Sequence, residues 1–362
     1  MMRLDDIRWK SFLIGDLFSV KRPTPRNKDD YMEGLIPFVA SGSMNNGVLK
    51  WCVPRNDEKL DKAGCITVSP VDGSAFYQPY YFLGRGGAGS SILMLYSKHI
   101  NKYNGQFIAK MISHTCSSKY NYGHMGNQNS IKREQIMLPV TDDGEPDFQF
   151  MEEYIRELMA AKKKQYRQII EKRLAALNDV ATETIDWSSA INERTWGPIV
   201  VSSEFSLIRG RENNMATLEN GNIPLISAKS VNNGLKGFVD KPRAVIAGNC
   251  ITLNNDGDGG AGLAYYQPSD MALDTHVTAF VPKEKINCYS MIFISECLSK
   301  LHGFFGHGLS ISNKRAEKIR IMLPVTADGQ PDYDFMEAFG RQMMAHKYRQ
   351  YLNFLEKHNM DQ

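Results

Sequence analysis

Nowhere in this chain do apolar residues run together for the roughly 18 positions that a membrane-spanning helix requires. The opening residues, Met1-Met2-Arg3-Leu4-Asp5-Asp6, hold no apolar signal region, so the expected compartment is the cytoplasm. Cysteine is sparse. Cys52, Cys65, Cys116, Cys250, Cys288 and Cys297 stand apart with no Cys-x-x-Cys pair, and read as reduced core residues. A large net excess of either charge is lacking as well. A formal net charge of +3 neither requires nucleic acid nor excludes it, because one cleft can be basic on an otherwise acidic surface. With 42% hydrophobic residues over 362 positions, wholesale disorder is excluded and two domains of ordinary size are expected.

Catalytic signatures are also missing. No Gly-x-x-x-x-Gly-Lys-Ser/Thr loop is present to cradle phosphates. Phe82-Leu83-Gly84-Arg85-Gly86 matches the Phe-x-Gly-x-Gly pattern of S-adenosylmethionine-binding loops. Such a loop needs a following helix, whereas Ser91-Ile92-Leu93-Met94-Leu95-Tyr96 reads as a strand, so a loop hugging a neighbouring backbone is the preferred reading. Asp57-Glu58-Lys59 resembles the tail of a metal-dependent nuclease motif but lacks a partner acid on a preceding strand, and reads as a solvated turn. Cys297, His302 and His307 lack a fourth zinc ligand at a usual spacing. The chain is expected to have no active site of its own.

What the chain does have is itself, twice. Met137-Leu138-Pro139-Val140-Thr141 leads through Asp143-Gly144 to Pro146-Asp147, and Met322-Leu323-Pro324-Val325-Thr326 leads through Asp328-Gly329 to Pro331-Asp332, at a constant offset of 185 residues (Met137 to Met322). Each copy reads as a short strand, an Asp-Gly turn and a Pro-Asp step that opens a helix. Further matched points occur in order. Trp9 with Leu17-Phe18 answers Trp196 with Glu204-Phe205, and Ile36-Pro37 before Asn45-Asn46-Gly47 answers Ile223-Pro224 before Asn232-Asn233-Gly234. Tyr77-Gln78-Pro79 answers Tyr266-Gln267-Pro268. Alternating apolar residues before an Asn-Gly turn predict a hairpin in both copies. Short amphipathic helices are predicted near Gln106–Ser117 and Tyr289–Leu301. Long helices follow each opening motif, with apolar residues every three to four positions and Asp147 and Asp332 as caps.

The loops between these elements collect cations and hydrogen-bonding side chains. In the first copy the candidates for DNA contact are Lys21, Arg22, Asn45, Asn46, Arg85, Lys119, Tyr120, Tyr122, Gln128 and Lys132. In the second they are Arg209, Arg211, Lys229, Asn232, Asn233, Asn255, His307, Ser310, Asn313, Lys314 and Arg315. Asn and Gln suit adenine, and cations suit phosphate, so duplicated loops of this kind favour nucleic acid over a small molecule. A helix of roughly 30 residues is about 45 Å long, which would hold two readers on the order of 13 base pairs apart.

The order of domain, long helix, domain, long helix, carried by these motifs over essentially the whole chain, resembles the specificity subunits of type I restriction–modification systems. The details are similar to the BcgI-like type IIB branch. The resemblance implies a mixed α/β (α+β) fold with two tandem target recognition domains, 1–147 and 183–332, each followed by a spacer helix, 148–182 and 333–362. It implies that the helices pack as an antiparallel coiled coil with pseudo-twofold symmetry. It further implies a bipartite double-stranded DNA site and partner methyltransferase or methyltransferase–nuclease subunits that supply S-adenosylmethionine and Mg²⁺ chemistry. Tyr154, Leu158, Tyr166, Ile169, Met343, Tyr348 and Tyr351 are the helix positions that would receive such a partner. The alternatives are a stand-alone methyltransferase or nuclease with a degenerate site, and an adaptor that does not bind DNA.

Overall fold

The computed structural model describes residues 3–87, 91–177, 187–213, 218–256, 260–305 and 309–359. His307 and parts of both glycine-rich loops, 88–90 and 257–259, lie outside the described residues. The chain divides into two compact units, Met1–Tyr166 and Arg167–Gln362, and the division falls inside the first long helix.

The strands of the first unit are β1 (Trp9–Leu13), β2 (Ser19–Lys21), β3 (Glu33–Val39), β4 (Val48–Cys52), β5 (Cys65–Val68), β6 (Ala75–Gln78), β7 (Leu83–Gly84), β8 (Leu93–Tyr96) and β9 (Gln135–Pro139). They form an antiparallel sheet β2-β8-β5-β6, a sheet β4-β3-β7 in which β3 and β7 are parallel, and the pair β1-β9. The strand β5 is buried along its whole length because both of its faces are covered. Ile66, Val68, Leu93 and Leu95 pack with Phe107, Ile108 and Ile112 of the helix Asn104–Cys116. Cys65 and Met94 instead join Val39 and Phe82 on the other face. The two-residue period of a strand thus assigns each side chain to its layer.

The second unit repeats this plan with β10 (Trp196–Val200), β11 (Phe205–Arg209), β12 (Asn220–Ile226), β13 (Leu235–Val239), β14 (Cys250–Asn254), β15 (Ala264–Gln267), β16 (Ala272–Leu273), β17 (Val277–Pro282) and β18 (Arg320–Pro324). Its sheets run β11-β17-β14-β15, β13-β12-β16 and β10-β18, the same order element by element. Ile251, Leu253 and Phe280 pack with Ile294 and Leu298 of the helix Cys288–Ser299, while Cys250 and Ala279 pack with Ile226 and Leu273.

Each repeated motif has a physical reason. The first strand of each unit pairs antiparallel with the last, Trp9 opposite Pro139 and Trp196 opposite Pro324. This closes the unit just before the long helix leaves it. Gly144 and Gly329 take φ of 77° and 78°, the left-handed region that only glycine enters cheaply. The chain then returns so that Asp147 and Asp332 donate their N–H groups to Pro139 and Pro324 at 2.9 Å. Their carboxylates accept from the N–H of Phe150 and Phe335 at 2.8 and 3.0 Å, which caps the helices Phe148–Ala175 and Tyr333–Asn359.

The Asn-Asn-Gly and Tyr-Gln-Pro motifs explain each other. Asn45, Asn46, Asn232 and Asn233 all have φ between 50° and 55°, so asparagine is used for its tolerance of left-handed backbone. The Gln78 amide donates to the Asn46 carbonyl at 3.0 Å and to Thr67 Oγ1 at 2.9 Å. Gln267 makes the same two bonds to Asn233 and Thr252, both at 3.0 Å. A buried glutamine on the four-stranded sheet therefore anchors the hairpin of the three-stranded sheet in each unit.

Met151 and Ile155 of the first long helix sit in the core of the first unit, and Met336 of the second long helix sits in the core of the second. Gly340 lets the second helix approach closely, since a Cβ there would lie 2.9 Å from Tyr289 Cβ and from its carbonyl oxygen. Among the described residues no helix is long and apolar enough to cross a membrane.

Three expectations need correction. Glu58 is not in a solvated turn. Its side chain is 14% exposed and forms an ion pair with Arg26, itself 2% exposed, at 2.7 Å. Arg26 also bonds Asp61 Oδ2 at 2.7 Å, the Lys59 carbonyl at 2.8 Å and the Gly84 carbonyl at 3.0 Å. Tyr31 adds a bond to Glu58 at 2.8 Å. Burial opposes the charge on Glu58, but the bonds from Arg26 and Tyr31 outweigh it and hold its carboxyl below the usual glutamate range. The second unit ties the equivalent segments through an acid instead, buried Glu212 accepting the Arg243 N–H at 2.6 Å.

The other two corrections concern candidate DNA contacts. Tyr120 is a core residue, 3% exposed among Ile131, Ile136 and the helix Asn104–Cys116, because its ring fills the space beneath the last strand. Asn255 is fully buried, its Oδ1 accepting from Thr278 Oγ1 at 3.0 Å and its carbonyl from the Ile311 N–H at 2.8 Å. Neither side chain is presented to a ligand.

Candidate nucleic-acid interface

In each unit the end of the second strand meets a short capped helix that precedes the last strand. In the first unit this helix is Gln128–Arg133, with Asn127 accepting from the N–H groups of Asn129 and Ser130 at 2.9 and 3.0 Å. Gln128 donates to the Val20 carbonyl at 3.3 Å, which joins helix to strand. Lys21 lies over the Tyr96 ring at 5.4 Å, its chain neighbour Arg22 is exposed, and so is Lys132 on the short helix. Lys119 pairs with Glu134, and Tyr122 is exposed on the turn Asn121–His124. Arg85 is half-buried, its backbone N–H bonded to the Val39 carbonyl at 2.8 Å.

In the second unit Arg209 occupies the corresponding strand end. Its Nε donates to the Thr275 carbonyl at 2.8 Å and its Nη1 reaches Asn313 Oδ1 at 3.5 Å. Asn313, Lys314 and Arg315 form the first turn of the helix Asn313–Ala316, capped by Ser312, and all three are exposed. Arg315 also bonds the Ser310 carbonyl. The fold therefore brings together Arg209, Ser310, Asn313, Lys314 and Arg315 from two separated stretches of sequence. Arg211 is exposed nearby in the chain.

Other candidates are committed elsewhere. The Lys229 ammonium caps the Leu235 carbonyl at 3.2 Å. Asn233 donates its amide to the Tyr266 carbonyl at 2.9 Å, so this side chain holds its own turn. Asn45, Asn46 and Asn232 are exposed at the same turns. Of the helix positions, Tyr154 and Leu158 pack against the first unit's core, Tyr154 edge-on to Phe107 at 5.8 Å, whereas Tyr166 and Ile169 are exposed. Met343, Tyr348 and Tyr351 are half-buried.

The sequence reading missed several residues here. His276 Nδ1 lies 2.8 Å from Asp256 Oδ1, on the loop that also supplies Thr275 to Arg209. The bond to Asp256 raises the His276 pKa above the usual histidine range, against the opposing effects of burial and Arg209. A raised value means that the pair's stabilisation is fully present below the ordinary histidine pKa and is lost as pH rises through the higher folded value. The stability of the second unit should therefore fall as pH rises through that window, and His276→Gln should flatten the dependence. Thermal unfolding over a pH series at fixed ionic strength checks this. A groove of about 580 Å³ in the first unit is lined by Asn46, Tyr80, Lys102, Gln106 and Lys110 among others. Only Asn46 of these was legible as a candidate, because Lys102 precedes and Lys110 lies on the helix Asn104–Cys116, whose packing on β6 is not evident from the local sequence.

The Gly84–Gly86 segment is filled by protein. A Cβ at Gly86 would lie 2.2 Å from the Thr24 carbonyl oxygen, and one at Gly84 would lie 2.9 Å from Pro23 Cβ. These glycines permit close packing on the Pro23–Pro25 backbone, and Pro25 bridges Gly86. His302 Nδ1 is bonded to the Ala261 carbonyl at 3.0 Å, and burial pushes the Cys297 thiol up to about 12.

Comparison with known proteins converges on one family. The model of the type I restriction modification DNA specificity domain matches twice, over residues 7–169 and 205–352. The chain is 25% identical over 343 residues to the type II restriction enzyme specificity subunit S.BcgI of Heyndrickxia coagulans, covering 93% of this chain and 95% of that one. Among solved structures, the type I restriction–modification S subunit from M. genitalium is 16% identical with a TM-score of 0.44, covering 98% of this chain and 94% of that one. The HsdS subunit from Thermoanaerobacter tengcongensis is 12% identical with a TM-score of 0.31, covering 96% and 91%. At these TM-scores neither structure bears on the arrangement of this chain, whereas the domain match covers most of its length. The chain belongs to the type I restriction–modification DNA specificity domain family.

Proposed function

We propose that this chain reads a bipartite, interrupted site on double-stranded DNA, one half-site per unit, and positions partner methyltransferase or methyltransferase–nuclease subunits on it. The carrying observation is the duplication. Two units share strand order and register, yet they present different residues where the second strand meets the short helix: Lys21, Arg22, Gln128 and Lys132 in one, Arg209, Asn313, Lys314 and Arg315 in the other. Equal scaffolds with unequal polar faces are what two half-sites of different sequence require. Exposed cations supply phosphate contacts, and Gln128 and Asn313 supply the donor–acceptor pairs suited to base edges.

In this reading the chain performs no chemistry. S-adenosylmethionine and Mg²⁺ belong to the partner, and the chain contributes address and spacing. The long helices act as an antiparallel spacer, with Tyr166, Ile169, Met343, Tyr348 and Tyr351 available to a partner. The ion pair between Arg167 and Glu356 at 3.2 Å within the second unit supports helices that run alongside each other. The name of S.BcgI, a specificity subunit of a restriction enzyme, agrees with this division of labour.

Binding of the chain with its partner to duplex DNA should weaken log-linearly with salt concentration, the slope being about −0.9 per phosphate neutralised. Filter binding across a salt series measures it. Salt-independent binding, or no binding even with the partner present, would remove the DNA-reading proposal.

A further inference from the structure

The two units differ at one surface that DNA reading does not explain. In both, the three-stranded sheet turns its outer face to solvent, and the pairing of its hairpin is identical at an offset of 187 residues (Pro37 to Pro224). Pro37 opposes Trp51 as Pro224 opposes Phe238, and both hairpins carry the same two register shifts. Gly34 and Gly221 make the first shift possible, because a Cβ at either would lie 2.4 to 2.5 Å from the opposing backbone. Equivalent positions are thus fixed by geometry rather than by similarity of side chains.

At five of these positions the first unit exposes Met32, Leu35, Leu49, Trp51 and Val53, with Leu35 88% and Met32 76% exposed. The second unit has Glu219, Asn222, Lys236, Phe238 and Asp240 at the same places. The first face therefore presents on the order of 500 Å² of contiguous apolar surface, near the top of the range for the largest patch on a monomer. The second unit shows that the fold itself does not require it. A sheet face in water is normally polar, as the second unit's is at every one of these positions but Phe238.

A partner that engaged both units in the same way would need this surface twice, and the chain offers it once. A second copy of the same face meets this condition, being present once per chain and apolar where this face is apolar. The charged residues adjoining the patch in the chain carry both signs, Lys28 and Arg55 with Asp29, Asp30 and Glu33, and Arg55 is already paired with Asp30 at 2.7 Å. Such a rim does not repel its own copy across a twofold axis. Two patches with their rims approach the roughly 1,000–1,600 Å² that a specific interface buries.

We propose that the Leu35–Trp51 face of the first unit is a self-association surface, through which two copies of this chain pair isologously. Pairing would join two DNA-reading subunits, and so two recognition sites, in one assembly.

Sedimentation velocity of the full chain over a concentration series tests this. A monomer–dimer equilibrium is expected for the unaltered chain. Leu35→Asn with Leu49→Lys places the second unit's own residues on the first unit's face, where the same hairpin tolerates them, and should raise the dimer dissociation constant at least tenfold. Phe238→Ser on the second face should leave it unchanged. A chain that stays monomeric throughout, or a dimer indifferent to the paired substitution, overturns the proposal. So does a variant whose only loss is binding of a methyltransferase subunit, which would assign the face to that partner. DNA half-site recognition by the variant is a separate readout and is expected to be unaltered.

Discussion

Arg26→Met should destabilise the first unit by about 3–5 kcal/mol, the cost of removing one partner from a buried ion-pair network and leaving the others uncompensated. The arginine side chain is 2% exposed, and it holds two carboxylates and two backbone carbonyls at once. Without it, Glu58 and Asp61 face each other with no cation between them, although Tyr31 and the N–H groups of Arg55 and Gly84 still bond to them. Urea denaturation followed by a probe in the first unit should show its transition shifted to lower denaturant.

The sign of the pH dependence should change as well. In the unaltered protein Glu58 has a lowered pKa, so its stabilisation is present above the ordinary glutamate value of 4.5 and is lost as pH falls through the lower folded value. In the variant Glu58 keeps the burial that opposes its charge but loses the arginine that offsets it, so acidification should recover stability rather than remove it. Replacing Glu58 and Asp61 by neutral isosteres in the Arg26→Met background should restore part of the loss at neutral pH. A silent Arg26→Met would mean that water reaches the network.

The second large effect concerns recognition. Arg209→Ala should cost about 1–3 kcal/mol in DNA affinity, a five- to 150-fold loss, and should relax discrimination at one half-site only. Arg209 joins the strand end to Asn313 and to the loop bearing His276, so its removal takes away a cation and loosens the neighbouring polar groups together. Arg22→Ala in the first unit should act on the other half-site. Competition binding against duplexes substituted in one half at a time separates the two. Equal losses across all sequences would make Arg209 a phosphate contact alone.

Much of the fold is legible in the sequence alone. The strands, the hairpins and the two long helices follow from period and turn chemistry, and Asn45-Asn46-Gly47 signalled a left-handed turn because asparagine and glycine tolerate one. Duplication helped further, since a motif present twice at constant offset has a reason to be there. What escaped were features decided by partners distant in sequence. Glu58 looks like a solvated acid until Arg26, 32 residues away, is brought beneath it. Tyr120 looks like a loop aromatic until the last strand closes over it. Asn255 follows Asn254 in a stretch that reads as a polar loop, yet the neighbouring strand supplies Thr278 and buries it. The polar face of the second unit was half legible: Arg209 and Asn313 were candidates, but their contact and the His276–Asp256 pair depend on which strand ends meet. Within the described residues, the local sequence carried the scaffold and the long-range packing decided which polar groups remain available.

The central claim, that each unit reads its own half of a divided site, is tested most directly by sequencing the methylated motif of a hybrid. Residues 1–145 are exchanged for those of a relative with a different target, and the hybrid is expressed with the cognate partner. The junction falls in the Thr141–Asp147 turn, between the last strand and the first long helix, so the pair formed by the first and last strands is exchanged as a whole and the spacer helix is retained. The account predicts that one half of the methylated motif changes, while the other half and the gap between them are retained. A motif altered in both halves would contradict it.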